Sequence, residues 1–519
     1  MKSKKLLLLS LAPLALASTA FGAFSDKTWD GSSNGGWGGG ANWDDNNATI
    51  TGANNLIFTG GANLADNWTG NFRTVGALTY GGTTDIKTRL STTATPATLG
   101  RGITFDTTEP NAEINVLTGS TANVLLTNDG LTGGEATNAA ITLADNLVID
   151  HRGDGTLTID TLIDGTGNVT INGDDRDNKV IFDNAGTANT YTGDLAIDGA
   201  SLQILNAGKL GNAANNIDIS NGGELYITGA STIAASRATT LSGGDAYLRT
   251  DAAVTVNAVI DGAGKLIKTG TGNLTMTATN TFSGGFEIQN ARVTINTGSG
   301  GAGALGSGVI TLNSDVVTSA TAGSEIFIQD PGAVNPTISN DIVLTGNGGS
   351  IAVGVNTTTL SGAITGDGDF RKRGGGALVL SGAYAFAGDF TIENGGAVTL
   401  EDGGQFTFDI GVSGDNNSIS HETGSAALSI DSLFVFDLTD ATTGLADQWS
   451  IIGSTLIGAT TFGSNFDITG FTETAGVWSN GAYEFSEATG NLTVVPEPGT
   501  FALIGGLLAL ASVATRRRK

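Results

Sequence analysis

A chain of 519 residues with no cysteine has no disulfide staples, and with only two histidines it cannot form the usual Cys/His metal clusters. Fifty acidic against 24 basic residues, a net charge of −26, repel a phosphate backbone and exclude nucleic acid as a partner. With 39% hydrophobic residues the 79 glycines do not signal wholesale disorder, so stability must come from a long stacked core.

Residues 1–23 come first. Lys2, Lys4 and Lys5 precede an apolar run from Leu6 to Ala17 and then small residues up to Ala23. A basic start, an apolar core too short to span a bilayer and a small-residue cleavage zone predict a signal-peptide helix, with signal peptidase as partner. The protein is expected to be exported.

Residues 24–150 are expected to form an N-terminal capping β region. Trp29, Trp37, Trp43 and Trp68 sit there among glycines, and the other two tryptophans, Trp449 and Trp478, lie near the far end. A stack of strands exposes its last core layer and unpaired edges, which bulky terminal residues can close. The rival reading is a platform of indoles stacking on the sugars of an extracellular polysaccharide.

Residues 151–425 hold the organising pattern. From Ile260 to Ile295, short alternating pieces (Leu266; Leu274 and Met276; Phe286 and Ile288; Val293 and Ile295) are separated by glycine, asparagine and threonine. Period two broken by turn residues predicts short half-buried strands. Ile163-Asp164-Gly165-Thr166-Gly167 and Ile364-Thr365-Gly366-Asp367-Gly368 repeat the opening of Ile260-Asp261-Gly262-Ala263-Gly264. Each copy continues to an aromatic-x-Gly step, at Tyr191, Phe282 and Phe386, and then to a second strand pair. Leu266, Leu274, Met276, Phe286, Ile288, Val293 and Ile295 are expected to point inward, and Lys268 and Lys372 outward.

These units, near 163–204, 260–295 and 364–400, resemble the autotransporter-associated β-strand repeat. Gly264 to Met276 follows its pattern closely, Gly368 to Leu380 places Phe370 and Lys372 likewise, and the first copy is degenerate, with Asn172 taken in the lysine's place. The resemblance implies an all-β, elongated parallel β-solenoid (β-helix) with atypical capping ends. About seventy residues between the array and Val495 are too few for a pore-forming translocator barrel, so a passenger without its own pore is expected.

Residues 426–494 read as a C-terminal β cap, rich in aromatics from Phe434 to Phe485. The stretch 495–519 then carries Pro496-Glu497-Pro498, an apolar segment over 499–515 and the basic tail Arg516-Arg517-Arg518-Lys519. It resembles the PEP-CTERM sorting signal. The resemblance implies recognition of Pro496, Glu497 and Pro498 by an exosortase-type transpeptidase. It also implies a transmembrane helix stopped by the basic tail, and a Gram-negative-type bacterium with a polysaccharide matrix.

Chemistry is sparse. His151 abuts Arg152 in a polar stretch, His421 is far from it in sequence, and fifty carboxylates always supply some pair at glycosidase spacing. Asp174-Asp175-Arg176-Asp177-Asn178 and Gly366-Asp367-Gly368-Asp369 look like calcium loops but lack the full twelve-residue pattern. No catalytic, cofactor or metal residues are assigned. The expected function is a non-catalytic, adhesin-like surface or matrix protein. The alternatives are a polysaccharide-binding surface protein and, behind it, a β-helical polysaccharide lyase or hydrolase.

Overall fold

The computed structural model describes residues 24–495 except 30–42, 46–48, 60–62, 65–72, 90–100, 108, 128–138, 185–187, 297–300, 316–322, 330–334, 355, 394, 423–425 and 445. The expected signal-peptide helix and the whole sorting stretch from Pro496, with its transmembrane segment, lie outside the described residues.

Among the described residues the regular elements are short strands and three-residue to five-residue 3-10 turns, with no α-helix. Apolar residues alternate with polar ones, so one edge of each strand faces a shared interior while the other faces water. Within each ladder a strand bonds in parallel to the strand one coil earlier and the strand one coil later, and the end strands of a ladder have one such neighbour. Leu266, Phe286, Ile310, Ile342 and Ile364 stand in one such column, all of them buried. Phe286–Gln289 and Arg292–Asn296 are not a hairpin: they belong to two different parallel sheets. The architecture is a β-solenoid, as the repeat pattern implied.

A coil has three sides. Leu162–Gly165, Val169–Asn172 and Lys179–Phe182 form one coil, and we call their positions the third, first and second faces. The second face is one ladder from Asn63–Leu64 through to Asp467–Ile468. The first face is a 10-stranded sheet from Ser25–Thr28 to Ile260–Gly262, then lapses, and resumes as a 6-stranded sheet at Thr337–Ile338. The third face is a 4-stranded sheet ending at Leu162–Gly165, and it resumes as a 9-stranded sheet at Ser231–Ile233. A 3-10 turn sits in each lapse: Ala207–Leu210 on the third face, Gly301–Leu305 on the first.

The sequence repeat is out of phase with the coil. Its opening isoleucine lies on the third face at Ile163, on the first at Ile260 and on the second at Ile364. Each copy thus starts one face further round the axis than the copy before it.

At the C-terminal end the pairing changes sense. Gln448–Ser450, Thr472–Thr474, Val477–Ser479, Tyr483–Ser486 and Asn491–Val494 form a 5-stranded antiparallel sheet. Its Phe485 packs on Phe434, Phe436, Phe462 and Phe466 of the last coils, with ring centroids 6.0–6.4 Å apart. At the other end Trp29 and Trp43 meet edge to face at 5.2 Å and pack on Phe58, which stacks on Tyr80 at 5.4 Å.

Candidate functional site

What the repeats share lies inside the solenoid. Asn189 and Asn280, each two residues before the aromatic of the aromatic-x-Gly step, are buried where a face has no strand. The carboxamide oxygen of Asn280 accepts the Ile260 N–H at 2.8 Å from the coil before, and its Nδ2 donates to the Ala304 carbonyl at 2.6 Å in the coil after. Asn189 does the same between the Ile163 N–H (3.0 Å) and the Lys209 carbonyl (2.8 Å). One side chain therefore ties three successive coils where the backbone ladder is interrupted. The 3-10 turn that follows ends on Leu305-Gly306 or Leu210-Gly211, and those glycines have φ of +73° and +77°. A Cβ on Gly306 would lie 2.7 Å from the Phe282 ring, and one on Gly211 would lie 2.8 Å from the Tyr191 ring. The third copy has Tyr384 in the asparagine's place, and there a regular strand, Ala383–Phe386, pairs with Ile364–Gly366. Sequence reasoning missed these asparagines, although Asn-Thr-aromatic stands in both of the first two copies.

Lys268 and Lys372 do not point outward. Both are fully buried, in inward columns between Leu248 and Ile288 and between Ile351 and Ile392. Parity requires this, because each lies two residues beyond an inward residue, Leu266 or Phe370. Counting from the opening isoleucine, their partner in the first copy is Ile171, not Asn172; Ile171 is buried and inward too. The long stem fills the core while the ammonium reaches the corner. Lys268 Nζ donates to the carbonyls of Thr269 and Gly270 (3.2 Å), and Lys372 Nζ to those of Gly374 and Gly395 (3.0 Å). Burial pulls the Lys268 ammonium down to about 7, offset in part by Asp251, and pulls Lys372 down to about 8. Arg237, buried as a residue, follows the same plan: its guanidinium donates to the carbonyls of Leu210, Gly211, Asn212 and Asn215 at 2.7–3.2 Å.

The outward residues at matching repeat positions have nothing in common: Asn168, Thr170 and Asn172 in the first copy, Lys265, Ile267 and Thr269 in the second, Asp369, Arg371 and Arg373 in the third. On the third face an ion network crosses several coils. Glu325 pairs with Arg292 (2.9 Å) and Arg373 (2.6 Å), and Glu393 pairs with Arg373 (2.8 Å) and Arg371 (2.9 Å). On the second face Arg176 stacks 3.7 Å over Tyr247 and Arg249 stacks 4.1 Å over Tyr226.

Trp29, Trp43, Trp449 and Trp478 are buried, with Trp449 Nε1 donating to the Val412 carbonyl at 2.9 Å and Trp478 Nε1 to Glu487 at 2.8 Å. None of these four is a solvent-facing platform; Trp37 and Trp68 lie outside the described residues. His151 is in the core rather than in a solvent-facing polar stretch, with both ring nitrogens shielded from water. Desolvation lowers its pKa, against smaller upward pulls from the backbone at His151, from Asp150 and from the backbone at Gly155. The Asp174–Asn178 loop is satisfied internally: Asn178 Oδ1 accepts the N–H groups of Asp174 (2.7 Å) and Asp175 (3.1 Å). Among the described residues no group of His, Cys, Asp and Glu is arranged to hold a metal ion, and no helix is long and apolar enough to cross a membrane. Pro496, Glu497, Pro498 and the basic residues Arg516, Arg517, Arg518 and Lys519 lie outside the described residues.

Residues 181–204, 266–295 and 370–400 match the family described as Passenger-associated-transport-repeat. Over 248 residues, 46% of this chain, the sequence is 30% identical to a protein named Adhesin BmaC autotransporter from Brucella suis biovar 1 (strain 1330). That stretch is 6% of the adhesin's length, so this chain spans a small part of it. No solved structure matches. The three segments found by pattern in the sequence are therefore repeats of the passenger-associated kind, set in a parallel β-solenoid.

Proposed function

We propose that this chain is the displayed part of an exported surface or extracellular-matrix protein, a non-catalytic, adhesin-like scaffold. The observation that carries the reading is that the repeats hold their shared residues inside. The isoleucine and the aromatic of all three copies, the asparagine of the first two and the buried lysine of the last two serve to keep coils in register, and the outer faces are left free to vary. Such a repeat builds length, not a reaction centre. The similarity to an adhesin named as an autotransporter supports a place at the cell surface.

We further infer that the signal peptide over 1–23 brings the chain across the inner membrane. The PEP-CTERM stretch over 495–519 then holds it through its apolar segment until an exosortase-type enzyme reads Pro496-Glu497-Pro498. The mature form then runs from roughly residue 24 to the processing point near Pro496. Surface shaving of intact cells, followed by peptide mapping, tests this. Body peptides should be released from intact cells without Phe501 to Lys519 attached. Body peptides released only after lysis would remove the surface reading, and a retained tail on the surface-exposed population would reduce the sorting signal to a plain anchor.

The second reading, a polysaccharide-binding surface protein, does not draw on Trp29, Trp43, Trp449 or Trp478, which are consumed in packing. It needs a different site.

A further inference from the structure

The first face changes character along its length. In its early sheet the outward positions carry Asp26, Glu113, Asp150, Asp198, Asp218 and Asp261. In the 6-stranded sheet that starts at Thr337–Ile338, two outward columns stand side by side and neither holds a charged residue. One column is Thr337, Thr359, Val379, Thr399, Ser429 and Thr461. The other is Thr357, Ala377, Ala397 and Ala427. No outward side chain in either column is larger than valine, so the face is flat, a raised row beside a low one.

The two edges of this face differ as well. Past the raised column the chain leaves it into Glu401 and Asp402, both exposed, and into Asp431. It enters the face beside the alanines from Gly375-Gly376 and Gly395-Gly396. The chain as a whole carries a net charge of −26, which holds copies apart. An uncharged face is where two copies can touch without stripping water from ions, and depletion of charge marks the core of an interface. Seating on a lipid surface takes large apolar side chains, which this face lacks.

We propose that this face pairs with the same face of a second copy, the two solenoids lying side by side and parallel. A two-fold axis along the solenoid sets the raised column of each copy against the alanine column of the other, and each acidic edge against a glycine edge. A two-fold axis across the solenoid makes the copies antiparallel. It sets raised column on raised column and brings both acidic edges to the same side. At about 4.8 Å per rung and about 3.3 Å per residue, the six strands cover roughly 400 Å² per copy. The total of about 800 Å² is below the roughly 1,200 Å² at which stable complexes begin. Pairing is therefore weak in dilute solution and grows where copies are crowded on one surface. Only that last step rests on the proposed surface display.

Sedimentation equilibrium of the purified chain at up to about 1 mM tests the pairing. The mean mass should rise towards the dimer between about 20 and about 300 mM salt, as the long-range repulsion is screened. Ala397→Glu, at an exposed position, should melt with the parent and weaken association by about tenfold or more. Orientation is read by oxidative cross-linking, since the chain has no cysteine of its own. A mixture of Ala397→Cys and Thr399→Cys chains should cross-link faster than either variant alone. A chain that stays monomeric overturns the proposal. So does association that survives Ala397→Glu, the result expected if the apolar segment over 499–515 were responsible. Faster cross-linking of each variant with itself would overturn the parallel arrangement. All of these are measured on purified chains and leave the surface placement standing, while failure of the shaving experiment leaves the pairing standing.

Discussion

Lys268 stands opposite Ile288 in the second-face ladder, both side chains in the interior, with no carboxylate in hydrogen-bond contact with the ammonium. The carbonyls of Thr269 and Gly270 take that place. Burial still disfavours the charged form, and the folded-state pKa falls from 10.5 to about 7. Between those values the unfolded chain binds more protons than the folded one, so stability rises with pH across this window. Below about pH 7 both states are protonated and the dependence on this group flattens at the lower level. Lys372 adds a second rise from about 8 upward. Urea midpoints of the parent should climb from pH 7 to 10, and Lys268→Met together with Lys372→Met should flatten the climb. An unchanged slope in the double variant would show that neither lysine is buried as a cation. Above pH 10 the trend should turn, because burial raises Tyr80, Tyr191 and Tyr384 and folding then opposes their ionisation.

On the acid side His151 acts in the other window. Its ring is buried, and desolvation holds its pKa below the ordinary 6.5 against the smaller upward pulls of nearby backbone groups and Asp150. As pH falls through 6.5 the unfolded chain takes up a proton that the folded one resists, so stability drops with falling pH. His151→Phe should keep the volume of the site and remove this part of the acid limb, leaving the carboxylate part. Parallel stability curves for parent and variant between pH 7 and 5 would exclude His151 as a contributor.

The asparagine ties make a sharper mutational contrast. Asn280→Ala leaves the Ile260 N–H and the Ala304 carbonyl buried and unpartnered, at a cost of about 1–3 kcal/mol for each. Phe286→Ala opens a cavity in the adjacent column and should cost about 3–5 kcal/mol. The two differ in reach: loss of Asn280 should raise hydrogen exchange in the coils on both sides of it, at Ile260 and at the Gly301–Leu305 turn. Exchange confined to residue 280 and its neighbours in sequence would mean that the side chain does not couple the coils.

How far this was legible follows from the same residues. Period-two alternation marks the strands, and Leu266, Leu274, Met276, Phe286, Ile288, Val293 and Ile295 are all buried as expected. Lys268 was misread because charge was allowed to overrule parity, although Leu266 two residues earlier fixes the side on which it must lie. Asn172 was matched to it through a one-residue slip, and a slip of one reverses every side chain. The asparagine ties were visible as a pattern but not as a function, since their partners lie a coil away on both sides. The face on which each repeat copy begins was not legible at all. It depends on which residues stack above and below, and that requires counting coil sides through stretches with no strand.

That count leads to the last prediction. Ile260 lies on the first face and Ile364 on the second, so one full repeat adds whole coils plus one extra side. Contacts in a solenoid are between neighbouring coils, and no frame outside them fixes which face is which. Deleting residues 260–363 brings Ile364 into the place of Ile260, Phe370 into that of Leu266 and Lys372 into that of Lys268, each a like-for-like replacement inside the core. The antiparallel end sheet contacts the last coils through Phe485 and turns with them. The shortened chain should therefore fold, with its C-terminal sheet rotated by one face and its length reduced by roughly 20 Å, at about 4.8 Å per coil. Small-angle scattering reads the length, and distances between spin labels on Thr158 and Val435, both outward on the second face of the parent, read the rotation. A variant that shortens with the labels still on one face would show that the repeat and the coil are in phase after all, and an unfolded variant would show that contacts between neighbouring coils do not suffice to set the fold.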